Sequence, residues 1–149
     1  MGLAKVLRRA ASLPGNLKLD RIVIAGGPRA GKSTLAANLA AGGRYRIHDG
    51  EELVGIEWST GSERAAAWLD EPGPWVCENV AMGRALRKWL ARSPIGTPAD
   101  LVIYLADPVA ARSRWQITMA TGCETVWRQV APELHRRGVR VLISGIRHS

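Results

Sequence analysis

The passage from Arg21 to Ala41 restricts this chain more than any other. Arg21-Ile22-Val23-Ile24-Ala25 is short, continuous and rich in β-branched residues. That is the composition of a strand covered on both faces. Gly26-Gly27-Pro28-Arg29-Ala30-Gly31 follows without a spacer, and Lys32-Ser33-Thr34 opens an alanine- and leucine-rich stretch. The stretch reads as a helix from about Gly31 to Ala41, ended by Gly42-Gly43. Further short apolar runs alternate with helical stretches downstream, the pattern of a parallel α/β sheet.

Gly26, four residues and then Gly31-Lys32-Ser33 is the spacing of a P-loop. Each part answers a chemical need. Glycines let the backbone turn its amides inward around a β-phosphate, where side chains would collide. The helix that follows aims its N-terminal amides and dipole at the same anion. Lys32 supplies a point charge for the β- and γ-phosphates, and the Ser33 hydroxyl is placed for Mg²⁺. With the strand before it and the helix after it, the loop Gly26, Gly27, Pro28, Arg29, Ala30, Gly31, Lys32, Ser33 and Thr34 is expected to bind ATP with Mg²⁺.

The rest of the chain can be read in the same terms. Tyr45 to His48 is a second strand, closed by Asp49-Gly50. Thr60-Gly61-Ser62-Glu63 has the form of a capping box opening a helix that stops before Pro72-Gly73-Pro74. Trp75-Val76-Cys77-Glu78 is a third strand, and the next helix puts Leu86, Trp89 and Leu90 on one face. Leu101-Val102-Ile103-Tyr104-Leu105 is a fourth strand, after which Asp107 caps a helix with Pro108 at its first position. Thr121-Gly122-Cys123-Glu124 is a second capping box, whose helix ends on Arg136-Arg137-Gly138. Val139 to Ile143 is the fifth strand.

A chain of 149 residues with 46% hydrophobic residues accommodates one compact domain. We divide it into a basic N-terminal segment, 1–20, and a P-loop domain, 21–149. Met1 to Leu13 is basic and loosely amphipathic, and it reads as a terminal helix or as a surface for nucleic acid or anionic lipid. Lys5, Arg8 and Arg9 interrupt its apolar residues, so it lacks the continuous apolar region expected of a signal peptide. No run approaches the roughly 20 apolar residues of a membrane span. Cys77 and Cys123 make neither a disulfide framework nor a zinc site, which fits a reducing cytoplasm. The net charge of +8 attracts polyanions, so a nucleic acid or a phosphorylated substrate joins ATP among the expected partners.

Gly-Gly-Pro-Arg-Ala-Gly-Lys-Ser-Thr at 26–34, Asp49 after the second strand, Glu78 after the third and Leu-Val-Ile-Tyr-Leu-Ala-Asp-Pro at 101–108 together resemble the P-loop kinases of the adenylate-kinase, shikimate-kinase and zeta-toxin type. The resemblance runs from Arg21 to Gly145. It implies a three-layer αβα fold on a five-stranded parallel sheet of order 2-3-1-4-5, with the site at the carboxyl ends of the strands. It implies that Asp49 lies near an acceptor hydroxyl, as proton acceptor or as a Mg²⁺ ligand through water. Its alternative is a turn residue. Glu78 is implied as a Mg²⁺ acid, with Asp107 as its competitor. Arg112 and Arg114 match lid arginines, of which one at most acts because a helix points them to different sides. Arg84, Arg87 and Lys88 make a basic stripe beside the acceptor pocket or a solvated face. Most of the six tryptophans are expected in the core, while Trp58 is a candidate to stack on a base or sugar. The lid is very short, and Glu78-Asn79-Val80-Ala81 replaces the sequence by which nucleoside-monophosphate kinases hold their acceptor.

Three functions follow as expectations. The first is an ATP-dependent kinase with Lys32, Asp49 and Arg112 or Arg114 as its catalytic groups, transferring the γ-phosphate to a hydroxyl or phosphate acceptor such as a nucleotide or nucleoside-like molecule. The second is a kinase acting on a nucleic acid. The third is an ATP-binding switch that hydrolyses ATP without an acceptor.

Overall fold

The computed structural model describes Lys5, Arg8, Arg9 and residues 19–145. Lys5, Arg8 and Arg9 are helical and exposed; the rest of the expected helix at 1–13 lies outside the described residues. Five strands form one sheet: β1 (Arg21–Gly26), β2 (Arg46–His48), β3 (Trp75–Glu78), β4 (Leu101–Leu105) and β5 (Arg140–Ser144). All pairs are parallel, in the order β2-β3-β1-β4-β5. Within residues 19–145 these α-helices accompany them: α1 (Lys32–Leu39), α2 (Trp58–Trp68), α3 (Met82–Arg92) and α4 (Arg114–Arg136). This is the α/β fold and strand order expected from the sequence.

Period-two alternation divides the core between the two faces of the sheet. Val23 and Ala25 of β1 face α2, α3 and α4, together with Trp75, Cys77, Val102 and Tyr104. Ile22 and Ile24 face the other way, with Val76, Leu101, Ile103 and Leu142, against Leu35 and Ala36 of α1. Each large apolar side chain buried in this way contributes about 1.5–3 kcal/mol. The Tyr104 and Trp127 rings stack with centroids 4.5 Å apart, tying β4 to α4.

The register sets the site. Ile24 of β1 lies opposite Glu78 of β3, and Gly26 lies opposite Leu105 of β4. The loops leaving β1, β3 and β4 therefore start at one level. The chain crosses to opposite sides of β1 from there, which opens a crevice at the carboxyl ends.

Three local signals were overridden. The helix assigned to the Thr60 box starts earlier, at Trp58, because Gly61 and Ser62 are already buried in its first turn. Asp107-Pro108 starts no helix. Residues 106–113 instead lie on the glycine loop, with Val109 N donating to the Arg29 carbonyl at 2.8 Å. The helix begins at Arg114 under a Ser113–Gln116 capping box. The Thr121 box is likewise not a terminus. α4 runs through it, and Thr121 Oγ1 donates back to the Ile117 carbonyl at 3.1 Å. A continuous helix buries Cys123, Val126, Trp127 and Val130 along one stripe, which outweighs a local cap. Of the tryptophans, Trp68, Trp75 and Trp127 are core residues and Trp89 is half-buried, whereas Trp58 and Trp115 are exposed. The expectation that most are core holds for only half of them. No helix among the described residues is long and apolar enough to cross a membrane.

Candidate functional site

β1 delivers the chain into the crevice at Gly26, whose φ of 149° suits glycine. A Cβ there would lie 2.6 Å from the Leu105 carbonyl oxygen. Arg29 and Gly31 take left-handed conformations, φ 57° and 91°, so the loop curls back before α1 begins. No side chain caps α1, and its first turn holds no acid. Its amides and the positive end of its dipole are left for an outside anion.

Lys32 is buried and donates from Nζ to the Gly27 carbonyl at 2.5 Å. Burial lowers its pKa, opposed by the charge of Glu78. Glu78, at the end of β3, accepts the Ser33 hydroxyl at 3.1 Å and the Gly50 amide at 3.4 Å, both on Oε1. Burial raises its pKa, while the Gly50 amide, Lys32 and Ser33 pull it down. The two groups that the sequence assigned to Mg²⁺ are thus already in contact. Among the described residues no cluster of three or more His, Cys, Asp or Glu could hold a metal alone. A cation at Ser33 and Glu78 needs further oxygens from ligand and water.

A cavity of about 780 Å³ opens in front of the loop. Arg29, Ala30, Gly31, Lys32, Ser33 and Thr34 line one side, and Asp49 and Glu78 share it. Asp49 caps a short 3₁₀ turn, Gly50–Leu53, by accepting the Glu51 amide on Oδ1 at 3.0 Å. Its own amide donates to Glu52 at 3.0 Å, and His48 lies between Glu52 and Glu71, stacked on Trp68 at 4.6 Å. Asp49 is therefore a turn residue and a cavity residue at once.

Gly26, Gly27 and Pro28 form the back of the loop, away from the cavity. Arg112 is not on a helix. It donates from Nε to the Pro28 carbonyl at 2.7 Å, and its Nη2 is buried without a partner close to Gly27. Arg114 is exposed on the first turn of α4 and does not line the cavity. Asp107 is exposed, its carboxyl packed on Gly145.

Trp58 lines the cavity, with the Arg84 guanidinium over its ring at 4.8 Å. Several other basic residues are turned to internal partners. Arg87 meets Gln129, Lys88 meets Glu63, and Arg136 and Arg137 meet Glu133. Sequence reasoning missed Asn79, a buried residue on the cavity wall whose Oδ1 accepts the Ala81 amide at 2.6 Å before α3. It also missed the brace on Asp49, although Asp49-x-x-Glu52 is itself the spacing of a capping box. The chain matches no protein-family model, and it matches no curated protein.

Proposed function

We propose that this chain is an ATP-dependent phosphotransferase acting on a hydroxyl acceptor. The observation that carries the reading is the convergence in one crevice of an uncapped helix start, buried Lys32, and the Ser33–Glu78 pair, with Asp49 on the same cavity. Loop amides and Lys32 suit the β- and γ-phosphates. Ser33 and Glu78 would hold Mg²⁺, whose contribution is to neutralise charge on the phosphate oxygens. Asp49 caps the turn and also lines the cavity beside the loop, where its carboxylate would meet an acceptor hydroxyl. In the transfer, the acceptor oxygen bonds to the γ-phosphorus and the bond from γ-phosphorus to the β-bridging oxygen breaks. The hydroxyl proton passes to Asp49, and ADP leaves. Arg112 fastens the loop from behind. The buried thiols and the need for ATP and Mg²⁺ suit a reducing cytoplasm.

The test is incubation of the full chain with γ-labelled ATP and Mg²⁺ against nucleosides, nucleotides, sugars, amino alcohols and DNA. Label is expected on a small hydroxyl compound, and Lys32→Ala is expected to lose ATP binding in calorimetry while staying folded. A folded Lys32→Ala chain with unchanged ATP affinity would overturn the reading. Label appearing only as inorganic phosphate would replace it with an ATPase, and label on DNA with a nucleic-acid kinase.

A further inference from the structure

The cavity has two ends of opposite character. Both of its cations, Arg29 and Lys32, belong to the glycine loop, and no other lysine or arginine lines it among the described residues. Away from the loop, the part of the chain that begins at the edge strand contributes Ile47 of β2, Val54 after the 3₁₀ turn, and Trp58 at the start of α2 to the lining, and this is taken as the far end. These three are 38%, 77% and 40% exposed, high for large apolar side chains. Asp49, Glu51 and Glu57, from the same stretch of chain, line the cavity as well. The cation beside this wall, Arg84, has its guanidinium over the Trp58 ring.

We infer that the acceptor is an uncharged or amine-bearing alcohol with a flat apolar body, and that phosphate-bearing acceptors are excluded. This rests on the phosphotransferase reading and names its substrate class. A phosphate group there would meet the carboxylates of Glu51 and Glu57, while the neighbouring cation, Arg84, is not part of the lining and is engaged with the Trp58 ring, and like charges brought together reject a ligand. An amine there meets a complementary field. The exposed apolar wall gains by covering, and the indole face of Trp58 suits a ring. The cleft then sorts its ligands by charge: the anionic donor at the loop, the neutral or cationic acceptor opposite.

Three probes test this. Tyramine, tyrosol and the alkyl phosphate ester of tyrosol share a phenol and a two-carbon arm, ending in an amine, a hydroxyl or a phosphate. Calorimetry on the full chain, saturated with a non-hydrolysable ATP analogue and Mg²⁺, is expected to rank them in that order, with the phosphate ester at least tenfold weaker than tyrosol. Neutralising the wall with E51Q and E57Q together is expected to narrow that ratio, since both residues are exposed and removing their charge leaves the apolar contacts. Equal or tighter binding of the phosphate ester, no binding by any of the three, or a ratio unmoved by the double substitution would overturn the inference. The ATP analogue is titrated first. If it fails to bind, the phosphotransferase reading falls, and the charge ranking is still read on the ligand-free chain.

Discussion

Arg112 reaches across 84 residues of sequence to place its Nε 2.7 Å from the carbonyl oxygen of Pro28. The contact joins the segment after β4 to the back of the glycine loop, and Val109 adds a backbone bond to Arg29 beside it. A loop of glycines has many conformations to lose, so a side chain that pins it lowers the entropy cost of binding.

Arg112→Ala is therefore expected to weaken ATP by about 1.5–3 kcal/mol, the range for a hydrogen bond from a charged group. Arg114→Ala, with its side chain in solvent, should leave ATP affinity within error. Calorimetry on the two variants decides it. Equal losses would mean that general positive charge matters and the Pro28 contact does not.

Asp49 both caps a turn and faces the cavity, and Asn separates the two. Asparagine caps as well as aspartate, so Asp49→Asn should cost less than about 0.5 kcal/mol in stability. Phosphoryl transfer to the acceptor should fall by about 10²–10⁴, the range for loss of a general base. ATP affinity should change little. Transfer at the parent rate in the variant would leave Asp49 with the turn alone.

Glu78 gives a pH signature. Burial raises its pKa above the ordinary 4.5, so the folded chain holds that proton to higher pH than the unfolded chain. In the window above 4.5 the folded state binds more protons, and its stability falls as pH rises. Glu78→Gln keeps an acceptor for Ser33 and removes the titration. The variant should gain on the parent as pH rises through that window and run parallel to it at lower pH. The gain is about 1.4 kcal/mol for each tenfold by which the folded chain holds the proton more tightly than the unfolded chain. Urea titrations without nucleotide or Mg²⁺ measure this. A variant that loses ground with rising pH would mean that Lys32 holds Glu78 ionised.

Gly26→Ala is expected to destabilise the chain by about 1–3 kcal/mol, the range for forcing atoms into a packed site. The obstacle is the Leu105 backbone oxygen 2.6 Å from the new Cβ, which cannot swing aside as a side chain would. Gly42→Ala, where a Cβ meets nothing within 4 Å, is the control and should change little. Matched urea midpoints for the two variants would contradict the geometry.

The strands were legible because their signals are strong and local. Trp75–Glu78 and Leu101–Leu105 stand where their apolar runs are. The glycine loop was legible for the same reason, since its spacing carries its geometry. Helix starts were not. Thr60 and Thr121 have the residues of a cap, but a cap is worth only about 1 kcal/mol. The stripe of Cys123, Val126, Trp127 and Val130 outweighs it. The position of Arg112 was hidden because it depends on 106–113 failing to become a helix. The charge sorting in the cavity was hidden because Glu51 and Glu57 come to share a cavity with Arg29 and Lys32 only through the fold.

The bare start of α1 bears on how long the molecule survives. Burial works against the charge on Lys32, Glu78 offsets only part of that, and no acid stands in the first turn of α1, so the ligand-free loop carries an unmet demand for negative charge. Whatever anion settles there meets it and acts as a structural ligand. At a hundred times its dissociation constant it adds about 2.7 kcal/mol to the folded state. Against a typical total of about 5–15 kcal/mol, that is a large share. Proteolysis acts on the opened chain, so the half-life of this protein should follow the supply of its anion. A cell short of that anion would lose the protein itself.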